Sequence, residues 1–389
     1  MSNWRMPREI KRVLFIKMTP GLKVVINYKK HLENVIESIL HKNGLSFLLV
    51  FSPSNIFYVT GSDAPSALVI SQNGEVSALV TRLEYVRAVS EMRLGEAYAF
   101  TKQDEVSEYE KTIKGDLYEA IAQVVGSSEK IGIVGGSLEL KDQLKGKLNR
   151  ELADYTKEFY LLRRSKDDEE VRLMEQASRI AEQALRRAID LIEPGVTESE
   201  LAGEILRVIV SSGAEPSFPP IVAFGEHSAH PHAKPSLKKL MRGDLVKIDL
   251  GAKYQGYCSD MTRTFVYGDP SEKQKKIYRA VLRAQEASID AVKEGAKAKD
   301  IHMIAYNVLK EEGLSAYFNH GLGHGVGIDI HEEPYLNSQS ETELIVGDVV
   351  TIEPGVYLAG YGGVRIEDML LVQRGTSRTL TFFTKDIAL

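Results

Sequence analysis

The spacing of apolar residues changes along the chain, and the changes divide it. Residues 1–25 show no clear period and read as a loosely attached tail. From Lys30 to His41 the pattern is helical, and Asn43-Gly44 supplies a stop. Short apolar, β-branched stretches follow at Ser46–Phe51, Ile56–Thr60, Ala67–Ile70 and Val76–Val80, each reading as a strand, with helical patterns between and after them. This alternation predicts an α/β domain around a central sheet. From Asp167 the period lengthens. Val171, Met174, Ala177, Ala181, Ala184, Ala188 and Ile192 recur three or four apart, the spacing of one helical face, and Glu193-Pro194-Gly195 ends it. A boundary near residues 155–165 gives an N-terminal domain over 26–160 and a second over 161–389, with Leu161-Leu162-Arg163-Arg164 expected as an exposed connection.

An internal repeat organises the second domain. Ile189-Asp190 with Gly195 returns as Ile289-Asp290 with Gly295, and Ser212-Gly213-Ala214 as Glu312-Gly313-Leu314. Gly243-Asp244-Leu245-Val246-Lys247-Ile248-Asp249-Leu250-Gly251 returns as Gly347-Asp348-Val349-Val350-Thr351-Ile352-Glu353-Pro354-Gly355. Two half-domains with the same helix–helix–strand order, packed about a pseudo-twofold axis, would bring Asp249 and Glu353 to equivalent places. Carboxylates meeting there need compensating cations or protons, because buried like charges are costly.

Composition narrows the classes. With 43% hydrophobic and 26% charged residues and a net charge of −5, the chain is an ordinary globular protein. Its basic residues form no block that points to nucleic acid. The single Cys258 excludes an internal disulfide framework. No apolar run reaches the ~18 residues of a membrane span. Lys17 interrupts the apolar stretch Val13–Ile16 and no cleavage pattern follows, so a signal peptide is not expected. The expectation is a cytoplasmic protein.

Candidate chemistry lies on the repeated strands. Along Val246–Leu250, Asp249 faces opposite to Val246, Ile248 and Leu250. After a turn at Gly251–Gly256, the return strand carries Asp260, Thr262 and Thr264 on one face, so a hairpin can set Asp249 nearly opposite Asp260 and let both grip one ion. In the second half Glu353 precedes a Gly-rich turn, after which Arg365 and Glu367 share a face. His324 sits among glycines in His320–Gly327, His331 in His331-Glu332-Glu333-Pro334, and His232 in His230-Pro231-His232. Four carboxylates and one imidazole suit two divalent ions drawn from Mn²⁺, Co²⁺, Fe²⁺ or Zn²⁺. Such a pair ionises a bridging water and polarises a carbonyl, which is a hydrolase's chemistry.

At these residues the chain resembles the pita-bread metallopeptidases: methionine aminopeptidase, aminopeptidase P and prolidase. The motifs are Ile248-Asp249-Leu250-Gly251-Ala252, Ser259-Asp260-Met261-Thr262-Arg263-Thr264, Gly323-His324-Gly325-Val326-Gly327, Ile352-Glu353-Pro354-Gly355 and Gly363-Val364-Arg365-Ile366-Glu367-Asp368. A fainter likeness at Asn55–Gly61 extends into the N-terminal domain, which methionine aminopeptidases generally do without. The resemblance implies an α+β protein with a pita-bread (creatinase/aminopeptidase-like) C-terminal domain. It implies two metal ions held by Asp249 on one side, Asp260 and Glu367 as bridges, and His324 and Glu353 on the other, with Glu353 also handling protons. His232 and His331 match histidines that contact substrate and steady the tetrahedral intermediate. Arg365 matches an arginine that binds a carboxylate or supports the ligands. The implied activity is hydrolysis of Xaa-Pro bonds in di- or short peptides, by a dipeptidase or alternatively an aminopeptidase P, in a homodimer.

Duller readings stand beside these. A lone Asp at a strand end is usually a turn former, and His320, His227 and His230 read as structural groups, rim groups or groups that support the site from behind. Cys258 reads as packing rather than as a soft ligand, and Glu108–Lys114 as a solvated face. A non-catalytic binding protein of this fold, or a metal-independent creatinase-like hydrolase, would be expected to have lost ligands that this chain keeps.

Overall fold

The computed structural model describes residues 24–128 and 130–388. Of the expected tail, only Val24 and Val25 fall within them. The N-terminal part is built on seven strands: β1 Phe47–Val50, β2 Ala67–Ser71, β3 Val76–Thr81, β4 Glu96–Thr101, β5 Thr112–Lys114, β6 Ile131–Val134 and β7 Ala153–Asp154. They form one sheet in the order β5-β4-β3-β2-β1-β6-β7, antiparallel where β2 meets β1 and β3, and parallel elsewhere. The first helix starts at Tyr28, where Asn27 Oδ1 accepts from Lys30 N at 3.1 Å. It runs on through a wider π turn, Ile36–His41.

Two expectations fail here, each for a physical reason. Ile56–Thr60 is not a strand but the end of a helix, Pro53–Thr60. Pro53 suits a first helical turn, Thr60 Oγ1 donates to Ile56 O at 2.9 Å, and Gly61 ends the helix in the left-handed region at φ 80°. A short apolar run buried on several sides cannot be assigned by period alone. Leu161–Arg164 is not an exposed connection either. It is the last turn of the helix Thr156–Arg164, and both arginines are buried.

The second part repeats itself as the sequence does. The helix pair Asp168–Asp190 and Glu198–Ser211 packs against Val246, Ile248 and Leu250 of the strand Leu245–Leu250. The pair Glu272–Ala291 and Ala298–Glu311 packs against Val350 and Ile352 of the strand Val349–Ile352. The turn entering each strand is the same. Gly243 and Gly347 have φ of 93° and 92°, and the following aspartates, Asp244 and Asp348, accept from Met241 N and Ile345 N, both at 2.9 Å. Strand alternation sends the other residues, Lys247 with Asp249 and Thr351 with Glu353, toward the opposite half. The halves meet there, Thr264 Oγ1 donating to Arg365 O at 2.9 Å.

Buried ions tie the two parts of the chain together. Arg163 donates to Asn55 Oδ1 at 2.7 Å and pairs with Asp329 at 2.8 Å and with Glu332, while Lys166 reaches Glu332 at 3.1 Å. Burial alone would raise the Glu332 carboxyl, but Lys166 and Arg163 overcome it and hold the group at about 2. Breaking such a pair strands a buried charge. We expect Arg163→Ala to cost about 3–5 kcal/mol in urea unfolding at neutral pH. A carboxyl held below its ordinary 4.5 stabilises the fold above that pH and stops doing so as pH falls through about 2. The gap between wild type and variant should therefore narrow across that window.

Candidate metal centre

The site lies where the inner faces of the two halves meet. Asp249 pairs with Thr262 across the hairpin, so Asp260 is its diagonal neighbour rather than its direct opposite. The hairpin is pinched at its head, where a Cβ on Gly251 would lie 1.9 Å from Ser259 O. In the second half Arg365 and Glu367 do not share a continuous strand. Pairing runs to Ile352↔Asp368, breaks, and resumes at Gly355↔Arg365. Glu353 and Glu367 occupy the break. Their amides are bonded outside the ladder, Glu353 N to Leu322 O at 2.8 Å and Glu367 N to Thr262 O at 3.1 Å.

Asp260, His324 and Glu367 each bring one donor atom within 4.8 Å of the others. Glu353 adjoins them, its Oε1 3.4 Å from His324 Nε2, and Asp260 Oδ2 is 3.6 Å from the same nitrogen. Asp249 stands outside that three-residue group: its Oδ2 pairs with Arg365, and its Oδ1 is buried without a partner. Burial and mutual repulsion push the Asp260 and Glu367 carboxyls well above their ordinary values, and burial lifts Glu353 to about 7. Burial lowers His324 to about 4, which keeps its imidazole neutral and able to ligate. His324 Nδ1 faces Gly325 O at 3.0 Å, so Nε2 is the nitrogen turned to the carboxylates. Carboxylates that are costly as free anions, a neutral imidazole and an orphaned oxygen are a donor set that divalent cations fit.

A buried frame holds these groups. Thr262 Oγ1 donates to Glu367 Oε2 at 2.7 Å and accepts from Arg365 Nε at 3.0 Å. Arg365 also donates to the Tyr357 hydroxyl at 2.8 Å and pairs with Asp249. Arg263, fully buried, donates to the carbonyls of Thr262 at 2.9 Å and Glu367 at 2.5 Å, and to Asp368 at 2.6 Å. Lys247, two residues before Asp249, donates to Ser228 O at 2.9 Å and His230 O at 2.6 Å. It thereby fixes the loop that carries His232.

Above the cluster is a cleft of about 240 Å³ whose walls include His232, His320, Tyr335 and Asn337. The His331 ring stands edge-on to His324, with centroids 4.4 Å apart. His320, read from the sequence as a structural, rim or supporting group, is a half-buried wall of this cleft, its Nε2 3.1 Å from the Tyr357 hydroxyl. His227 is structural, its Nδ1 2.8 Å from the buried Glu198. Cys258 packs, its thiol donating to Ile328 O at 3.4 Å. The sequence pattern does not single out Lys247, Arg263 or Tyr357 as site residues. Lys247 alone carries a signal: a lysine on the same inward face as Asp249, in a strand whose other residues are apolar.

A helix-covered pair of halves with acids and an imidazole between them defines a metallohydrolase. Residues 172–374 match the model for metallopeptidase family M24, and residues 34–165 the creatinase/prolidase N-terminal domain. The Xaa-Pro dipeptidase of Pyrococcus horikoshii is 38% identical over 352 residues, 90% of this chain and 96% of that one. The crystal structure of the prolidase from the same organism matches with a TM-score of 0.81 at 35% identity, over 92% of this chain and 99% of that one. The X-Pro aminopeptidase of Thermotoga maritima matches with a TM-score of 0.83 at 28% identity, over 92% and 99%. The chain belongs to metallopeptidase family M24, with the pita-bread fold preceded by a creatinase/prolidase N-terminal domain.

Lys247 touches none of the five carboxylate and imidazole groups, yet its removal would free the carbonyls it binds and loosen His232. We expect Lys247→Met to lower kcat/KM about 10–100-fold while metal content stays unchanged. Steady-state kinetics and metal analysis of the same preparation check both parts.

Proposed function

We propose that this chain is a metal-dependent Xaa-Pro dipeptidase, in which Asp249, Asp260, His324, Glu353 and Glu367 hold two divalent ions. The observation that carries it is the acid–imidazole cluster on the floor of a small histidine-walled cleft, in a chain that matches Xaa-Pro dipeptidases almost end to end. At about 240 Å³ the cleft is below the roughly 300–1,000 Å³ of sites for drug-sized ligands, which favours a two-residue substrate. When bound, the ions supply Lewis acidity that lowers the pKa of an attacking water and polarises the scissile carbonyl.

The chain's own groups do the rest. Glu353, at the edge of the cluster facing the cleft, accepts and returns the proton. His232, which lines the cleft, and His331, whose ring stands against His324, donate to the developing oxyanion and the substrate backbone. Arg365 holds Asp249 and, through Thr262, Glu367. An Xaa-Pro bond has no N–H, so the cleft needs a surface for a ring and no acceptor for an amide hydrogen. The rings of His320 and Tyr335, which line the cleft, provide such a surface.

Aminopeptidase P activity is the second reading, favoured by the likeness to the Thermotoga maritima enzyme. The division at residues 160/161 belongs to this proposal, with the helix Thr156–Arg164 as the link. So do a homodimer, two ions drawn from Mn²⁺, Co²⁺, Fe²⁺ or Zn²⁺, and a cytoplasmic location, which rest on the family resemblance and on the single cysteine. Among the described residues no helix is long and apolar enough to cross a membrane.

Metal-stripped protein, restored with Mn²⁺ or Co²⁺, should cleave Ala-Pro and leave Ala-Pro-Ala and Met-Ala-Ser intact, as read by product chromatography. Cleavage of Ala-Pro-Ala would move the assignment to aminopeptidase P. Asp260→Ala should lose both metal and nearly all activity; a variant that stays active would end the two-metal reading. Because Glu353 is lifted to about 7 and the Asp260 and Glu367 carboxyls are raised as well, these groups hold protons more tightly than free carboxyls, and metal binding should release protons and tighten as pH rises. Calorimetry in buffers of different ionisation enthalpy measures that release.

A further inference from the structure

A second group of ligating side chains lies at the seam between the two parts of the chain, away from the catalytic cluster. It comprises His31, on the helix Tyr28–Val35, and Asp167 and Glu170, at the start of the helix Asp168–Asp190. Each brings one donor atom within 4.8 Å of the others.

The hydrogen bonds around the group define what its free atoms can do. His31 Nδ1 is 2.8 Å from Tyr58 O, and a carbonyl only accepts, so Nδ1 carries the hydrogen. That turns Nε2 to the two acids, 3.6 Å from Asp167 Oδ2 and 3.9 Å from Glu170 Oε2. These separations are too long for hydrogen bonds. They suit two donors sharing one ion at about 2.0–2.2 Å from each. His31 is 2% exposed, and its Nε2 and Asp167 Oδ2 are both buried without a hydrogen-bond partner.

Hydrogen bonds from outside hold both carboxylates in place, and Glu170 Oε2 keeps a second lone pair toward His31. Asp167 Oδ1 accepts from Glu170 N at 3.0 Å, Glu170 Oε2 from Asp167 N at 2.8 Å, and Glu170 Oε1 from the Tyr257 hydroxyl at 2.9 Å. An imidazole tied to a carbonyl by its other nitrogen, and a carboxylate fixed by a hydroxyl, are the outer contacts that orient metal ligands. The Lys30 amine, 3.7 Å from Asp167 Oδ2 and half-exposed, is the nearest competing cation. A cavity of about 530 Å³ beside the group gives access from solvent and room for a further ligand.

We propose that His31, Asp167 and Glu170 form a structural site for a divalent ion of the zinc class, clamping the N-terminal helix to the catalytic part of the chain. One imidazole and two carboxylates favour such a borderline ion over Ca²⁺ or Mg²⁺. Through Tyr257 the clamp also braces the hairpin between Asp249 and Asp260.

The test is zinc counting on the full chain. Metal-free wild type, His31→Gln and Asp167→Asn are dialysed against Zn²⁺, and bound zinc is measured by emission spectrometry together with Tm. The amide introduced by Asp167→Asn keeps the oxygen that caps the helix, so that variant folds even where the His31 variant does not. We expect His31→Gln to bind one equivalent fewer than wild type, and Asp167→Asn to bind that equivalent about tenfold or more weakly. Both should lose part of the zinc-dependent rise in Tm. Equal zinc counts and equal Tm shifts in all three proteins would overturn the site and leave His31 as a protonated partner of the two acids. The comparison is independent of the catalytic reading, because Asp260→Ala removes ions from the catalytic cluster and spares this one.

Discussion

The mutual repulsion of four acids on the floor of one cleft is the constraint around which the catalytic part is arranged. Asp249, Asp260 and Glu367 are buried and Glu353 nearly so, and in water-poor surroundings like charges this close are strongly disfavoured. Cations resolve the conflict in two ways. The chain supplies one permanently, in Arg365, which touches Asp249 and shares Thr262 with Glu367. On the proposed reading, ions from solution supply the rest, with the neutral His324 among their ligands. A site with this excess of negative charge binds metal because its metal-free form is uncomfortable.

Duplication makes the arrangement geometrically simple. Each half has a helix pair on one face of its sheet and polar residues on the other, and strand alternation alone decides which residues face inward. Asp249 and Glu353 are equivalent by sequence, and so are Lys247 and Thr351 two residues earlier. The equivalent positions have diverged in use. Lys247 anchors the loop bearing His232, whereas Thr351 accepts from His324 N at 3.1 Å and donates to Glu353 at 3.3 Å. One half therefore orders the loop of His232 and the other the backbone at His324.

The seam to the N-terminal domain is equally ionic. Arg163 and Lys166 meet Glu332 and Asp329 on one side, Arg164 meets Asp348 at 2.6 Å on another, and His31 meets Asp167 and Glu170 on a third. Glu332 immediately follows His331, so the clamp that joins the domains also steadies the segment whose His331 ring stands against His324. An N-terminal domain attached in this way is part of the site's scaffold.

Much was legible in the chain alone, because it depends on local pattern. The period of seven apolar residues specified the long helix, and the matching Gly-Asp turns exposed the repeat. The five motifs carried the acids and the imidazole, since a metal site needs particular atoms and those atoms come from few residue types. What only the tertiary structure decided depends on neighbours distant in sequence. Ile56–Thr60 became helix because burial on several sides removes the alternation that would distinguish it. Arg163 and Arg164 went inside because their partners, Asp329, Glu332 and Asp348, lie more than 150 residues away. His320 became a wall of the cleft through Tyr357, and the diagonal placement of Asp249 and Asp260 followed from strand register. A sequence names the groups able to bind an ion; which of them meet, and at what distance, is set by the packing of faces that the chain brings together from far apart.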